Sequence, residues 1–260
     1  MVRIIGLDFD GTIYWGEDTR KWGEKLGEAI EELLGKGVSV GVVSSRSRED
    51  VQRILPLLGI RDSFPRFHIT ETGMVFDGEG KEYPGCEENN REVREILKDF
   101  YKLMEEIKEE VKEFLLNSPF PPREIRPAIE WGGYLYLYSS PEIAEKARKF
   151  LLDKNLPSCV RITRNLFGIY LTRENLNKGR GIDALRRSLS LPPQDVLVIG
   201  DSLNDLPMMD EKLGFKVATP GSADPLVKEK VIERTGIVAR SSFGEGTREI
   251  LLSFLSGRLK

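Results

Sequence analysis

Three short apolar runs, each ending abruptly at carboxylates or hydroxyls, constrain this 260-residue chain more than any other feature of it. Residues 2–8 stop at Asp8 and Asp10, residues 38–44 stop at Ser44 and Arg46, and residues 196–200 stop at Asp201. Strands that are apolar on both faces need cover on both faces, which is the situation of a buried parallel sheet. Between the first two runs Leu26, Ala29, Ile30, Leu33 and Leu34 recur at helical spacing, with Gly35 and Gly37 placed to end the helix. Val51, Ile54 and Leu55 mark a second helix face. Strand, helix, strand, helix in that order predicts an α/β fold with a doubly wound, mostly parallel sheet, wound in right-handed βαβ units.

The pattern is then interrupted. Val93, Ile96, Leu97, Phe100, Leu103, Met104, Ile107, Val111 and Phe114 keep a helical period through a long charged helix that Pro119, Pro121 and Pro122 terminate. Two aromatic, alternating stretches follow, 125–131 and 134–138, joined across Gly132-Gly133 in what reads as a hairpin. A helix over 142–152 comes next, and then residues 160–163 and 167–172 flank Arg164-Asn165 as a second hairpin. We expect residues 83–176 to form a smaller α+β domain inserted into a discontinuous core of residues 1–82 and 177–260. The core resumes with a helix bearing Ile182, Leu185 and Leu189.

Composition removes several classes of function. With 39 Lys plus Arg against 42 Asp plus Glu, a formal charge of −3, there is no electrostatic footprint for nucleic acid or an anionic membrane. No run approaches the ~20 apolar residues that span a bilayer, and the start has no charged-then-apolar signal layout, so the expected setting is the cytoplasm. Cys86 and Cys159 are too few for a disulfide framework or a zinc site. The single histidine, His68, would have to carry any Ser-His-Asp chemistry alone. Carboxylates, Lys and Ser are left to do the work.

The strand ends hold such groups. In Asp8-Phe9-Asp10-Gly11-Thr12, alternate residues share a face, so Asp8 and Asp10 are placed to point the same way. Carboxylates placed together repel unless a cation or proton intervenes, an arrangement suited to Mg²⁺ with substrate phosphate; a solvated turn is the plain alternative. Ser44-Ser45-Arg46-Ser47-Arg48 offers hydroxyls, backbone N–H groups and arginine as an oxyanion cradle, or a polar loop capping a helix. Lys178, ahead of a helix, is placed either to reach a phosphate or to lie in solvent. In Gly200-Asp201-Ser202-Leu203-Asn204-Asp205, two acids and an Asn make oxygen ligands for a hard cation or the capped start of a helix. In an open parallel sheet ligands bind beyond the carboxyl ends of the strands, and Asp8, Ser44 and Asp201 all stand there.

Taken in order, these four segments resemble the four motifs of the haloacid dehalogenase superfamily of phosphatases, and the likeness covers nearly the whole chain. The insertion between the second and third motifs resembles the Cof-type, sugar-phosphate phosphatase branch, as does the segment Ile69-Thr70-Glu71-Thr72-Gly73-Met74-Val75-Phe76-Asp77 that precedes it. Residues 201–208 and Phe243-Gly244-Glu245 look like archaeal phosphoglycolate phosphatases, whereas residues 44–48 look more like mannosyl-3-phosphoglycerate phosphatases.

The resemblance implies a Rossmann-like core with an α+β cap. It also implies a Mg²⁺-dependent phosphomonoesterase acting on a small phosphorylated metabolite. Asp8 would be the nucleophile, forming an aspartyl-phosphate, and Asp10 the acid/base. Magnesium would be held by Asp8, the Asp10 carbonyl, Asp201 and Asp205; Ser44, Ser45, Lys178 and Asn204 would hold substrate phosphate. Thr12 would orient a ligand, and Arg46 would touch substrate or pair with a surface acid. Substrate choice would sit in the cap, at Glu130, Arg126, Tyr134 or Arg164. A phosphomutase or phosphotransferase of the phosphomannomutase type, and a non-catalytic phosphometabolite-binding module, are the alternatives. The resemblance is silent on oligomeric state.

Overall fold

Every residue of β1 (Ile4–Leu7) is buried, because the strand runs through the middle of a sheet covered by helices on both faces. The computed structural model describes residues 2–59 and 64–256. After β1 come α1 (Thr19–Gly35), β2 (Ser39–Val43), α2 (Arg48–Ile54), β3 (Phe67–Ile69) and β4 (Val75–Asp77). Next are α3 (Glu87–Leu116), β5 (Glu124–Ala128), β6 (Gly133–Leu137), α4 (Pro141–Leu152), β7 (Val160–Asn165) and β8 (Gly168–Arg173). The chain ends with α5 (Lys178–Ser188), β9 (Val196–Ile199), β10 (Lys216–Thr219), α6 (Pro225–Glu233), β11 (Ile237–Val238) and α7 (Phe243–Leu255). It divides into two units, Met1–Asn90 with Lys178–Lys260, and Arg91–Asn177.

The larger unit holds a seven-stranded sheet in the order β11-β10-β9-β1-β2-β3-β4. All neighbours are parallel except β4, which returns antiparallel to β3. Alternation divides each strand between two cores. Ile5, Leu7, Val40, Val42, Leu197 and Ile199 pack with Leu26 and Ile30 of α1 and Ile250 and Leu251 of α7. Ile4, Val43, Val196 and Val198 pack on the other face with Ile182 and Leu185 of α5 and Val227 of α6. Being apolar at every position is therefore what a strand with two buried faces requires.

Strand order runs outward from β1 in both directions, through β2 and β3 on one side and β9 and β10 on the other. The carboxyl ends of β1 and β9 thus flank the point where the winding reverses, where a crevice opens in sheets of this kind. Register brings those ends level: Leu7 pairs with Val42 and with Ile199, and the Asp8 N–H continues the ladder by donating to Ile199 O at 2.8 Å.

The smaller unit is an antiparallel four-stranded sheet, order β5-β6-β8-β7, with α3 and α4. Val93, Leu97, Phe100, Met104 and Val111 of α3 are buried. Phe100 meets Trp131 edge-on at 6.0 Å, and Phe114 stacks on Phe150 of α4 at 4.9 Å. Two turns differ from the sequence reading. The first hairpin turns through the short 3₁₀ segment Ile129–Trp131 and Gly132 rather than at the glycine pair alone. In the second, Arg164 and Asn165 are still strand, and Leu166, not Asn165, takes the left-handed conformation at φ 49°. Turn chemistry pointed to Asn, but six paired positions from Val160↔Arg173 to Asn165↔Gly168 fix the reversal two residues later.

The division between units falls inside α3, whereas the sequence put the start of the insertion at Tyr83. Asn90, with no exposed surface, explains the difference. Its side chain copies a strand partner: Val75 N–H donates to Asn90 Oδ1 and Asn90 Nδ2 donates to Val75 O, both at 2.8 Å. The first turn of α3 is thereby sewn to β4. Replacing Asn90 by Ala removes the partner of the buried Val75 N–H, while Val75 O keeps the Tyr83 N–H at 3.1 Å, so Asn90→Ala should lower unfolding free energy by about 1–3 kcal/mol in urea denaturation.

Candidate active site

At the carboxyl ends of β1 and β9, Asp8, Asp201 and Asp205 come together, each no more than 3% exposed. One oxygen from each lies within 4.8 Å of the other two. Lys178, at the start of α5 and fully buried, donates at 2.6 Å to Asp8 Oδ1 and at 2.6 Å to Asp205 Oδ1. Asp8 Oδ2 has no hydrogen bond among the described residues, so one oxygen is anchored and the other is open.

Each carboxylate is aimed by its own loop. Asp205 Oδ2 accepts from the N–H groups of Asp201 and Ser202, both at 2.9 Å, closing a capping box with Ser202 at the head of the 3₁₀ segment Leu203–Met209. Asp201 accepts from Thr12 Oγ1 at 3.0 Å and Ser202 Oγ at 3.2 Å. The Asp224 N–H donates to Asp201 O at 2.9 Å, fixing the loop from behind. Two glycines make room for this. A Cβ on Gly11, whose φ is +83°, would stand 2.3 Å from Asp201 Oδ2, and one on Gly200 would stand 2.5 Å from Asp205 Cγ.

The remaining predicted residues are placed as follows. Ser44 is buried and its Oγ accepts from the Arg46 N–H at 3.2 Å, while Ser45 is exposed. Asp10 stands outside the carboxylate group and forms a two-point ion pair with Arg46, both contacts at 2.7 Å. Asn204 turns its Nδ2 to Glu71 at 3.2 Å, and its buried Oδ1 has no hydrogen-bond partner. Glu130 belongs to the smaller unit, where its carbonyl accepts from Tyr101 Oη at 3.1 Å. Within that unit Arg126 forks onto Glu124 at 2.6 and 2.9 Å, Tyr134 donates to Glu109, and the buried Arg164 donates to Glu145 at 3.0 Å. His68 lies in β3, where burial holds its imidazole below its ordinary pKa.

Sequence reasoning missed Glu71. It is 3% exposed, and its Oε2 stands 3.6 Å from Lys178 Nζ. A buried glutamate flanked by Thr70 and Thr72 after an apolar strand was the available signal.

Electrostatics follow from the count. Burial pushes the Asp8 carboxyl well above its ordinary pKa, the charge of Asp205 adds to this, and Lys178 only partly opposes it. Asp201 is raised from 3.8 to about 7, again by burial first and by Asp205 second. Burial alone would pull the Lys178 ammonium down, but the charges of Asp205, Asp8 and Glu71 prevail and hold it well above its ordinary value. Four buried carboxylates around a single ammonium leave unbalanced negative charge in a pocket made of hard oxygen donors, and this donor set fits Mg²⁺.

Comparison with known proteins agrees with this geometry. Residues 134–237 match the family of haloacid dehalogenase-like hydrolases. Phosphoglycolate phosphatase 1 of Saccharolobus solfataricus is 23% identical over 258 residues, covering 99% of this chain and 97% of its own. The phosphoglycolate phosphatase of Methanothrix thermoacetophila is 36% identical over 107 residues, 41% of this chain and 45% of its own. Among solved structures, sucrose-phosphatase from Synechocystis sp. PCC6803, in complex with sucrose and phosphate, superposes with a TM-score of 0.67 at 17% identity, covering 98% of each chain. A Thermoplasma acidophilum protein superposes with a TM-score of 0.60 at 22% identity, covering 98% of this chain and 99% of that one. The chain is thus similar to haloacid dehalogenase-like hydrolases over residues 134–237 and, at lower identity, to phosphoglycolate phosphatases along nearly its whole length. Among the described residues no helix is long and apolar enough to cross a membrane.

The raised carboxyls have a consequence for the metal-free protein. Between the unfolded and folded pKa values the native state binds more protons than the unfolded chain, so stability falls as pH rises. For Asp201 that window runs from 3.8 to about 7. In chelator, thermal melts should therefore show a lower Tm at pH 7.5 than at pH 5, and Asp201→Asn should flatten that slope.

Proposed function

We propose that this protein is a Mg²⁺-dependent phosphomonoesterase that hydrolyses a small phosphorylated metabolite, such as phosphoglycolate or a sugar phosphate, through an aspartyl-phosphate on Asp8. The observation that carries the reading is the state of Asp8: buried beside Asp201 and Asp205, one oxygen held by Lys178 and the other open. The names of the relatives support a phosphate ester as substrate.

In the first half-reaction Asp8 Oδ2 attacks phosphorus in line, the new O–P bond forming as the ester P–O bond breaks. Asp10 gives a proton to the departing alkoxide. Water then attacks the phosphoryl group, Asp10 takes its proton, and the Asp8 carboxylate is restored with release of inorganic phosphate. Lys178, together with Ser44 and Ser45 beyond the end of β2, holds phosphate oxygens and offsets charge as the transition state forms. Lys178 also keeps Asp8 Oδ1 fixed, so Oδ2 is presented in a single orientation.

Asp8, Asp201 and the Asp10 carbonyl would hold the metal. Asp205 has Oδ2 engaged by two backbone N–H groups and Oδ1 by Lys178, so it contributes through water or by anchoring Lys178 and the Asp201 loop. When bound, Mg²⁺ supplies the positive charge that lets an ionised Asp8 and a dianionic phosphate share the pocket. A small phosphorylated partner and a cytoplasmic setting follow from this reading, supported by a near-neutral charge balance.

The test is phosphate release by purified protein from 2-phosphoglycolate, hexose phosphates and an aryl phosphate. Wild type should turn over with Mg²⁺ and stop in excess chelator, and Asp8→Asn should lose roughly 10³-fold or more in kcat. Substantial turnover by Asp8→Asn would remove Asp8 as nucleophile. Asp10→Asn should slow alkyl esters more than aryl esters, because a good leaving group needs little help from an acid.

A further inference from the structure

Arg46 grips the proposed acid/base with both arms. Its Nε donates to Asp10 Oδ2 and its Nη2 to Asp10 Oδ1, each at 2.7 Å. The guanidinium also lies over two rings, 5.5 Å from the centroid of Phe9 and 5.1 Å from that of Tyr14. The partners are 28% and 29% exposed, so solutes reach the pair, unlike the sealed contacts of Lys178. Both oxygens of Asp10 are thus committed to one planar fork, and the stacked rings keep that fork in place whichever carboxylate it holds.

A guanidinium fork of this kind is matched in shape to a carboxylate. Lys178 and the metal-binding carboxylates serve the phosphoryl group, whereas Arg46 touches Asp10, the residue that handles the leaving oxygen. What meets Arg46 is therefore the leaving group. A carboxylate on the carbon next to the ester oxygen would lie beside Asp10 and compete for the same two donors.

Resting on the phosphatase reading above, we infer that Arg46 is a specificity-determining residue that selects phosphorylated hydroxy acids. The substrate carboxylate takes the place of Asp10 on the fork and so frees Asp10 to face the leaving oxygen. One bidentate pair is exchanged for another, so binding gains little, and the effect falls on turnover. An alkyl phosphate without a carboxylate leaves Asp10 on Arg46 and is hydrolysed slowly.

Two esters of nearly equal size, 2-phosphoglycolate and ethyl phosphate, separate these cases. Wild type should favour 2-phosphoglycolate by about 30-fold in kcat/KM, carried mainly by kcat. In Arg46→Met the ratio should collapse towards unity, with ethyl phosphate gaining while 2-phosphoglycolate loses, and Arg46→Lys should fall between. A wild-type enzyme indifferent to the carboxylate, or a preference that survives in Arg46→Met, overturns the inference and leaves the phosphatase reading standing. Release of phosphate from no ester by wild type would instead sink that reading and this inference with it.

Discussion

One ammonium group holds this site together. Lys178 Nζ sits at 2.6 Å from both Asp8 and Asp205 and at 3.6 Å from Glu71, with no exposed surface. Without it, burying these carboxylates so close together would be prohibitive, since an unpaired buried charge costs several kcal/mol. With it, the carboxylates still outnumber the ammonium, and on the reading proposed above that deficit is what a metal ion would fill. A site neutralised internally would have no affinity for a metal ion, and one with no internal cation would not fold around its acids. Lys178 lies between those limits.

The fold supplies the means of bringing these groups to one place. β1 and β9 are neighbours in the middle of the sheet, and their ends deliver Asp8 and Asp201. α5 starts at Lys178 itself, and the capping box of Ser202 and Asp205 fixes the last member. Each group lies within two residues of the end of a regular element, so packing of the apolar strands and positioning of the polar ends are a single event.

Much of this was legible in the sequence, for a physical reason. A strand buried on both faces must be apolar until it emerges, so residues 2–7, 38–43 and 196–199 announced both the sheet and the places where polar chemistry stands at its edge. The amphipathic period of α3 was equally plain. Less legible were contacts that depend on rotamers. Arg46 had a substrate or a surface acid as its expected partner, and nothing in the spacing of Asp10 and Arg46 tells that they meet as a fork. Glu71 was read as part of a segment, not of the site, because its burial depends on Lys178 arriving from more than a hundred residues away. The turn at Leu166 was missed because pairing along β7 and β8 overrode the local preference of Asn165. Nor does spacing show that Tyr134 meets Glu109 and Arg164 meets Glu145.

The separation along the chain between Asp8 and Lys178, 170 residues, bears on how such a molecule is made. During synthesis the first strand and its acids emerge well before the ammonium that neutralises them, and the whole of Arg91–Asn177 is translated in between. Contacts so distant in sequence form late, after the cost of closing a long loop has been met. The nascent N-terminal half therefore holds Asp8, the nucleophile proposed above, but not the ammonium that pairs with it. The carboxylate group itself is complete only where β9 is paired beside β1, so completion of the sheet and assembly of the site coincide.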